Sequence, residues 1–135
     1  MTYTFTVYGR LPNLNDFIGA ERTVINIKGD PKRKIFLTKG AVMKKQWQAY
    51  VVKAITRDLS GVKCKTPIKI GYHYFEPNRK RDKGNVHAFA QKVIEDALQD
   101  TKVIENDNWQ GIDSFYVKFD VDAENPRIEV TLVEM

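Results

Sequence analysis

The chain has 135 residues, of which 42% are hydrophobic and 29% are charged, with eight Gly, five Pro and one cysteine. These values fit one globular domain and exclude collagen-like, low-complexity and disordered chains. No uncharged apolar stretch approaches the roughly 20 residues that a membrane span needs, and the N-terminus has no apolar signal-peptide core. We therefore expect a soluble, cytoplasmic protein, in which the lone Cys64 forms neither an internal disulfide nor a zinc site by itself.

Charge is distributed unevenly along the chain, whose formal net charge is +5. Residues 1–81 hold 17 Lys and Arg against 5 Asp and Glu, whereas residues 82–135 hold 5 against 12. A basic first part favours a polyanionic partner such as nucleic acid. The acidic second part would weaken such binding unless its carboxylates do something specific, for example hold a divalent cation. Solvated faces of opposite sign explain the same asymmetry, so both interpretations stay open at this point.

The first half of the chain is predicted to form one strand and one long helix, separated by loops. Alternating polar and apolar residues predict a strand over residues 2–8, and turn-forming residues predict a loop over 9–16. The basic segment 22–39 has weak periodicity, which indicates a loop or a short ribbon. Apolar residues at helical spacing predict a helix over 38–59, with Thr38 as its N-cap.

The second half is predicted to contain a strand over 66–75, a helix over 85–99, and strands over 112–121 and 127–133. The last two strands most simply form an antiparallel hairpin. The element order is then β-α-β-α-β-β, whose apolar faces can be buried in two layers. The sequence therefore predicts a single α+β domain spanning residues 1–135, with a mixed four-stranded sheet covered by two helices.

The groups that could carry chemistry are carboxylates beside basic residues, because no glycine-rich nucleotide-binding pattern and no HExxH pattern occurs. Asp82 follows a basic run, and Asp107 lies in a polar turn after the second predicted helix. Asn85, Lys92 and Asp96 share one helical stripe. Metal-dependent phosphodiester hydrolysis needs carboxylates and a cation of this kind. A snorkelling lysine and an ordinary i,i+4 ion pair explain the Lys92–Asp96 spacing equally well.

Three other residues receive structural interpretations. His73 is expected to be a plain sheet histidine, with a phosphate contact as the alternative. His87 falls in the first helical turn, where a solvated side chain is expected. Trp109 is interpreted as a core or dimer-contact residue, with base stacking as the alternative.

The second half of the chain resembles the RusA family of Holliday junction resolvases in the stretch RKRDKGNVHAFAQKVIEDALQDTKVIENDNW and in the strands that follow, which end in NPRIEVTLVEM. The family pattern is a basic run, Asp-x-Asp-Asn opening a helix, a helical Lys, a helical Asp-x-Leu and an acidic turn that ends in Asp. The resemblance covers residues 66–135, and more loosely the opening strand and the LPNLND loop. It implies a prophage-type, homodimeric, Mg²⁺-dependent endodeoxyribonuclease that resolves four-way DNA in recombination and repair.

The resemblance also implies roles for individual residues. Asp82 and Asp107 match acidic metal ligands of the family, and Lys92 matches the lysine that would face the scissile phosphate. These three residues are the predicted catalytic set. Asn85 matches the Asn of the family motif, and Asp96 matches the helical Asp.

One position departs from the family pattern, since Gly84 stands where the family has its second metal-ligating Asp. Three outcomes are open. Another carboxylate, Glu76 or Asp113, completes the site; or the site binds metal weakly and cuts slowly; or the protein binds branched DNA without cutting. The last outcome is the alternative function.

Recognition of a four-way junction would depend on its shape and on phosphate contacts, with an affinity that falls steeply as salt rises. A two-fold dimer would place one active site on each of two strands of the junction. The residues predicted to contact DNA are Lys32, Arg33, Lys34, Lys44, Lys45, Arg79, Lys80, Arg81 and Asn85.

Overall fold

The structure is a computed structural model that describes the backbone of residues 1–22, 24–27 and 35–135, and side chains outside 23–37. In chain order the elements are β1 (Thr2–Tyr8), α1 (Leu14–Glu21), β2 (Val24–Ile27), β3 (Ile35–Thr38), α2 (Lys39–Leu59), β4 (Ile68–Glu76), α3 (Lys83–Asp100), β5 (Ile112–Val121) and β6 (Arg127–Glu134). No helix in these ranges is long and apolar enough to cross a membrane.

Four strands form one sheet in the order β1-β6-β4-β5. Strand β6 pairs antiparallel with both β1 and β4, whereas β4 and β5 are parallel. The predicted α+β class and the mixed four-stranded sheet are therefore confirmed. Strands β2 and β3 form a separate antiparallel ribbon, in line with the ribbon interpretation of the basic segment; its connecting residues 28–34 lie outside the described residues.

The predicted antiparallel hairpin of the last two strands is wrong, because β4 lies between β5 and β6. Burial explains the order: β6 buries Ile128, Val130 and Leu132 in alternation, as a central strand does, while β5 is largely exposed. The chain crosses the end of β4 between the two strands. There Arg127 lies over the ring of Phe75, 3.8 Å from its centroid.

Helix α1 corrects the loop predicted over residues 9–16. The helix begins at Leu14 because Asn13 caps it: the Asn13 side chain accepts the backbone N–H of Asp16 at 2.9 Å, and the Asp16 carboxylate accepts the N–H of Asn13 at 3.1 Å. This reciprocal pair satisfies two backbone donors that a helix start otherwise leaves free. The Asn-x-x-Asp spacing was a local signal for a helix start.

Helices α2 and α3 bury the apolar face of the sheet. Thr38 caps α2 as predicted, since its hydroxyl accepts the N–H of Ala41 at 3.0 Å. The core is a single cluster to which β1, β4, β6 and both helices contribute. Helix α3 buries a broad apolar stripe that comprises Val86, Phe89, Ala90, Val93, Ile94, Ala97 and Leu98.

Candidate active site around helix α3

The β4–α3–β5 unit brings Asp107 back beside the middle of α3. Helix α3 ends at Asp100 and β5 begins at Ile112, and between them the chain returns Asp107 to the level of residues 88–95 of the helix. Asp107 lines a pocket of about 260 Å³ together with Gln91, Lys92 and Glu95. Two of the three residues predicted to be catalytic, Asp107 and Lys92, therefore lie at one pocket.

A second pocket of about 670 Å³ shares three lining residues with the first, namely Gln91, Glu95 and Asp107. It extends toward the start of β5, where Asp113 is also a lining residue. We call the two together the α3 pocket. Glu95, Asp107 and Asp113 give it three carboxyl groups on three different segments of the chain.

Glu95 is a site residue that the sequence did not single out. Only 8% of its surface is exposed, and its Oε2 accepts a hydrogen bond from the Tyr72 hydroxyl at 3.0 Å. Burial raises the pKa of the Glu95 carboxyl, and the nearby Asp107 and Asp96 carboxylates raise it further. The available signal was a glutamate inside the otherwise apolar α3 stripe, four residues from Gln91 and beside the more conspicuous Asp96.

Glu95→Gln is expected to stabilise the fold at neutral pH by an amount on the order of 1 kcal/mol. The amide still accepts the hydrogen bond of Tyr72 but removes a buried charge near Asp107. Because the folded-state pKa of Glu95 is raised, the protonated form contributes stability below the unfolded pKa, and this contribution is lost as pH rises. Urea unfolding should give the variant a higher free energy of unfolding than the unmodified protein at pH 7 but not at pH 4. An equal difference at both pH values would contradict this.

Asp82 occupies a different position, at the N-terminus of α3. Its Oδ1 accepts the backbone N–H of Asn85 at 3.2 Å, so Asp82 is the N-cap of the helix. Nine residues at about 1.5 Å each separate Asp82 from Gln91, or about 14 Å along the helix axis. Asp82 lines neither part of the α3 pocket. The role of Asp82 as a metal ligand stays a prediction, and the structure gives it a capping role in addition.

Glu76 and Asp113, the two carboxylates considered as replacements for the missing Asp, have different surroundings. Glu76 accepts two hydrogen bonds from Arg81, at 2.8 and 3.0 Å, and one from Arg10 at 3.4 Å. Burial alone would raise the pKa of Glu76, but the two guanidinium groups outweigh it and hold the pKa below its usual value. Asp113 is exposed and lines the α3 pocket. The geometry therefore favours Asp113.

The same contacts show which of the predicted DNA-binding side chains are already held by ion pairs or hydrogen bonds within the protein. Arg81 is engaged by Glu76 and also donates to the Leu11 carbonyl at 2.7 Å. Lys44 donates to Asp96 at 2.7 Å and to Gln48 at 3.0 Å. Among the rest, Lys45, Arg79 and Lys80 are exposed, Asn85 is half-buried at the start of α3, and Lys32, Arg33 and Lys34 lie outside the described residues.

Lys92 is held less tightly than Arg81 and Lys44. Its ammonium lies 3.9 Å from Asp96, a loose i,i+4 pair, and 65% of its side chain is exposed. Asp96 is held more closely by Lys44, at 2.7 Å. The Lys92 ammonium can therefore reach an anion at the α3 pocket without breaking a close ion pair.

The structure changes the interpretation of two aromatic residues. Trp109 is 97% exposed, so the core position is wrong, while the dimer contact and base stacking stay predictions; it lies in the turn after α3 and lines the α3 pocket. His87 is not solvated, because the first turn of α3 faces the sheet: its Nδ1 lies 2.6 Å from the Tyr74 hydroxyl. Burial lowers the pKa of His87. His73 is a sheet histidine as expected, with its Nε2 2.6 Å from Asp120.

In comparisons with known proteins, no family model matches this chain and no curated protein matches it in sequence. The resemblance to RusA resolvases therefore remains a prediction that depends on the motif residues quoted above.

Proposed function

We propose that this protein is a cytoplasmic, Mg²⁺-dependent endodeoxyribonuclease of RusA type that cuts four-way DNA junctions. One observation carries the proposal. Asp107 and Lys92, which the resemblance assigns to catalysis, lie on different segments of the chain and yet line the same pocket. A carboxylate and a loosely paired ammonium at one pocket suit phosphodiester hydrolysis with a divalent cation.

Carboxylate oxygens are the donors that the α3 pocket offers a hard cation, and in the part of the chain that the structure describes no three or more such side chains are grouped closely enough to hold a metal ion by themselves. Mg²⁺ prefers carboxylate oxygens and keeps several of its waters, so it needs few protein ligands. Asp107 and the exposed Asp113 would hold the ion, and the buried Glu95 carboxylate would add negative charge to the pocket. When bound, Mg²⁺ supplies an activated water and neutralises phosphate charge.

The protein side chains have separate tasks in this proposal. Lys92 would contact a non-bridging phosphate oxygen and stabilise the charge that develops there. Arg79 and Lys80, in the turn before α3, would seat the DNA backbone. Arg81, held by Glu76, would position that turn rather than bind DNA directly.

Cleavage of a labelled four-way junction tests the proposal, with Mg²⁺, with Mn²⁺ and with EDTA, and with a linear duplex as control substrate. We expect paired nicks in the junction that EDTA abolishes, and no cutting of the duplex. A gel shift in EDTA measures binding separately, and its affinity should fall steeply with salt. Absence of junction cleavage in both metals would remove the nuclease proposal.

A second candidate, a protein that binds branched DNA without cutting, is favoured by one observation: position 84 carries no carboxylate. The variant Gly84→Asp tests it, because a Cβ there meets only the Asp82 Oδ1, at 3.4 Å, and the new side chain fits without moving backbone. If Gly84 limits the activity, the variant should raise the cleavage rate at least about tenfold. Gly84→Asn is the matched control of similar size. Equal rates in the two variants would exclude a missing charge as the cause.

A further inference from the structure

A separate pocket of about 390 Å³ lies where β4 and β5 end and α3 begins. Its lining includes Glu76 from the end of β4, Lys83 from the start of α3, and Phe119 and Val121 from the end of β5. Among the described residues, it shares no lining residue with the α3 pocket, and we call it the strand-end pocket. Its volume is that of a small-molecule site, which typically measures about 300–1,000 Å³.

The place of this pocket in the topology is one where α/β proteins bind nucleotides. Strands β4 and β5 are parallel and α3 connects them, so the three elements form a β-α-β unit. In such units ligands bind beyond the carboxyl ends of the strands, with phosphate groups near the N-terminus of the helix. The backbone N–H of Asp122 donates to the Glu76 carbonyl at 2.8 Å, which fixes the two strand ends relative to each other.

Two positive side chains of the strand-end pocket have no counter-charge. Arg79 and Lys83 are exposed, and neither forms an ion pair with a residue that the structure describes. The carboxylates of the lining are paired within the protein. Glu76 is held by Arg81 at 2.8 Å, and Asp120 lies 3.8 Å from the ammonium of a β5 lysine. The pocket therefore presents positive charge to a ligand.

Phe119 supplies a flat apolar surface beside these charges. Its ring stacks on Tyr74, with centroids 4.7 Å apart and an interplanar angle of 15°. The Lys83 ammonium lies 5.8 Å from the centre of the same ring, at the distance of a cation–π contact. Phe119 is only partly buried and lines the pocket, so a planar ring can stack on it once the flexible lysine side chain turns aside. The ammonium is then available to an anion bound at Arg79.

We infer that the strand-end pocket binds a single nucleotide, with its base stacked on Phe119 and its phosphate held by Arg79 and Lys83. The ligand is an unstacked base that carries a phosphate, and both a free nucleotide and an unpaired nucleotide of a DNA strand have this chemistry. Cationic side chains here replace the glycine-rich phosphate loop, which the sequence lacks. The site does not depend on the nuclease proposal, because its occupancy is measured without metal and without cleavage.

Isothermal titration calorimetry in EDTA tests the site with three ligands: dAMP, deoxyadenosine and inorganic phosphate. We expect dAMP to bind at least about tenfold more tightly than either of the other two, since only dAMP engages the ring and the cations together. Absence of dAMP binding at millimolar concentrations would overturn the inference. Equal affinities for dAMP and phosphate would also overturn it, because the base would then contribute nothing.

Substitutions separate the two halves of the ligand. Phe119→Leu should weaken dAMP binding about tenfold and leave phosphate binding unchanged, whereas Phe119→Tyr keeps the ring and should keep the affinity. Arg79→Gln should weaken dAMP and phosphate alike. Lys69→Gln, on the exposed side of β4, is the matched control for loss of one positive charge and should change neither. Unchanged dAMP affinity in Phe119→Leu, with circular dichroism like that of the unmodified protein, would overturn the stacking.

Competition distinguishes the two sources of the nucleotide. A labelled single-stranded oligo(dA) is bound in EDTA and titrated with dAMP. Displacement of the strand by dAMP, lost in Phe119→Leu, would identify the ligand as an unpaired nucleotide of DNA. Binding of dAMP that leaves the strand in place would identify it as a free nucleotide. Either result supports the pocket, and junction cleavage is measured separately.

Discussion

Replacing Asp107 with Asn is expected to lower metal-dependent junction cleavage at least about a hundredfold while leaving junction affinity in EDTA within about threefold. Asn keeps the size and one oxygen of the side chain but removes the negative charge that attracts a divalent cation. Asp107 and Glu95 both line the two parts of the α3 pocket, with Lys92 in one part and Asp113 in the other, but Glu95 is buried, so Asp107 is the accessible carboxylate that the two parts share. Single-turnover rates on a labelled junction, measured over a range of Mg²⁺ concentrations, give the effect directly.

Glu105→Gln is the control for that substitution. Glu105 is exposed, lies two residues earlier in the same turn and lines neither part of the α3 pocket. Its neutralisation should leave cleavage unchanged if position, rather than total charge, matters. Wild-type rates in Asp107→Asn would remove the α3 pocket from the reaction.

Asp82→Asn separates the capping role of Asp82 from its predicted metal role. Asn is as good an N-cap as Asp, so the start of α3 should persist and only the charge is lost. Strongly reduced cutting with intact binding is expected if Asp82 ligates metal, as the resemblance implies. Undiminished cutting would leave Asp107, Asp113 and Glu95 as the carboxylates of the site.

The elements that the sequence predicted correctly are those with strong periodicity. Helix α3 has an apolar stripe from Val86 to Leu98, interrupted by Glu95, and β4 alternates from Ile68 to Tyr74. Each pattern arises because one face of the element is buried, so it can be recognised from the residues of that element alone. Helix α1 shows the opposite case: none of its residues is buried, and its start depends on the hydrogen bonds between Asn13 and Asp16.

The order of the strands in the sheet could not be predicted from the periodicity of single elements. The turn at residues 122–126 favours a hairpin locally, but β6 is buried on one face and pairs on both edges, whereas β5 is exposed. The choice between the two arrangements depends on which strand covers more of the core. That is a comparison between distant segments, which no local pattern contains.

The candidate site was predictable in part for the same reason. The motif pointed to Asp107 and Lys92, and both line the α3 pocket. The motif gave no sign that Glu95 is buried beside the pocket or that two arginines hold Glu76. Both facts depend on how separate segments of the chain pack against each other. Burial and ion pairing of a carboxylate are properties of the assembled fold.

Glu76→Gln is expected to lower the free energy of unfolding at pH 7 by about 3 kcal/mol, the usual cost of removing one partner from a buried ion pair. Glu76 is 8% exposed, and only 16% of the Arg81 side chain is exposed. The variant would leave the mostly buried Arg81 charge without its counter-charge and with one acceptor oxygen in place of two. Urea unfolding monitored by circular dichroism measures the loss. A loss below about 1 kcal/mol would show that the pair behaves like a surface salt bridge.

The pH dependence of that loss gives a second check. Since the folded-state pKa of Glu76 is lowered, its contribution is present above the unfolded pKa of a glutamate and disappears as pH falls through the folded value. The difference in stability between Glu76→Gln and the unmodified protein should therefore shrink in acid below pH about 4.3.

Glu129→Gln is the matched control: its carboxylate pairs with Arg127 at 3.0 Å but is 38% exposed, so its loss should cost less than about 1 kcal/mol. Because Arg81 ties the turn carrying Arg79 and Lys80 to the loop before α1, Glu76→Gln should also weaken junction binding in EDTA, which the Glu129 control should not.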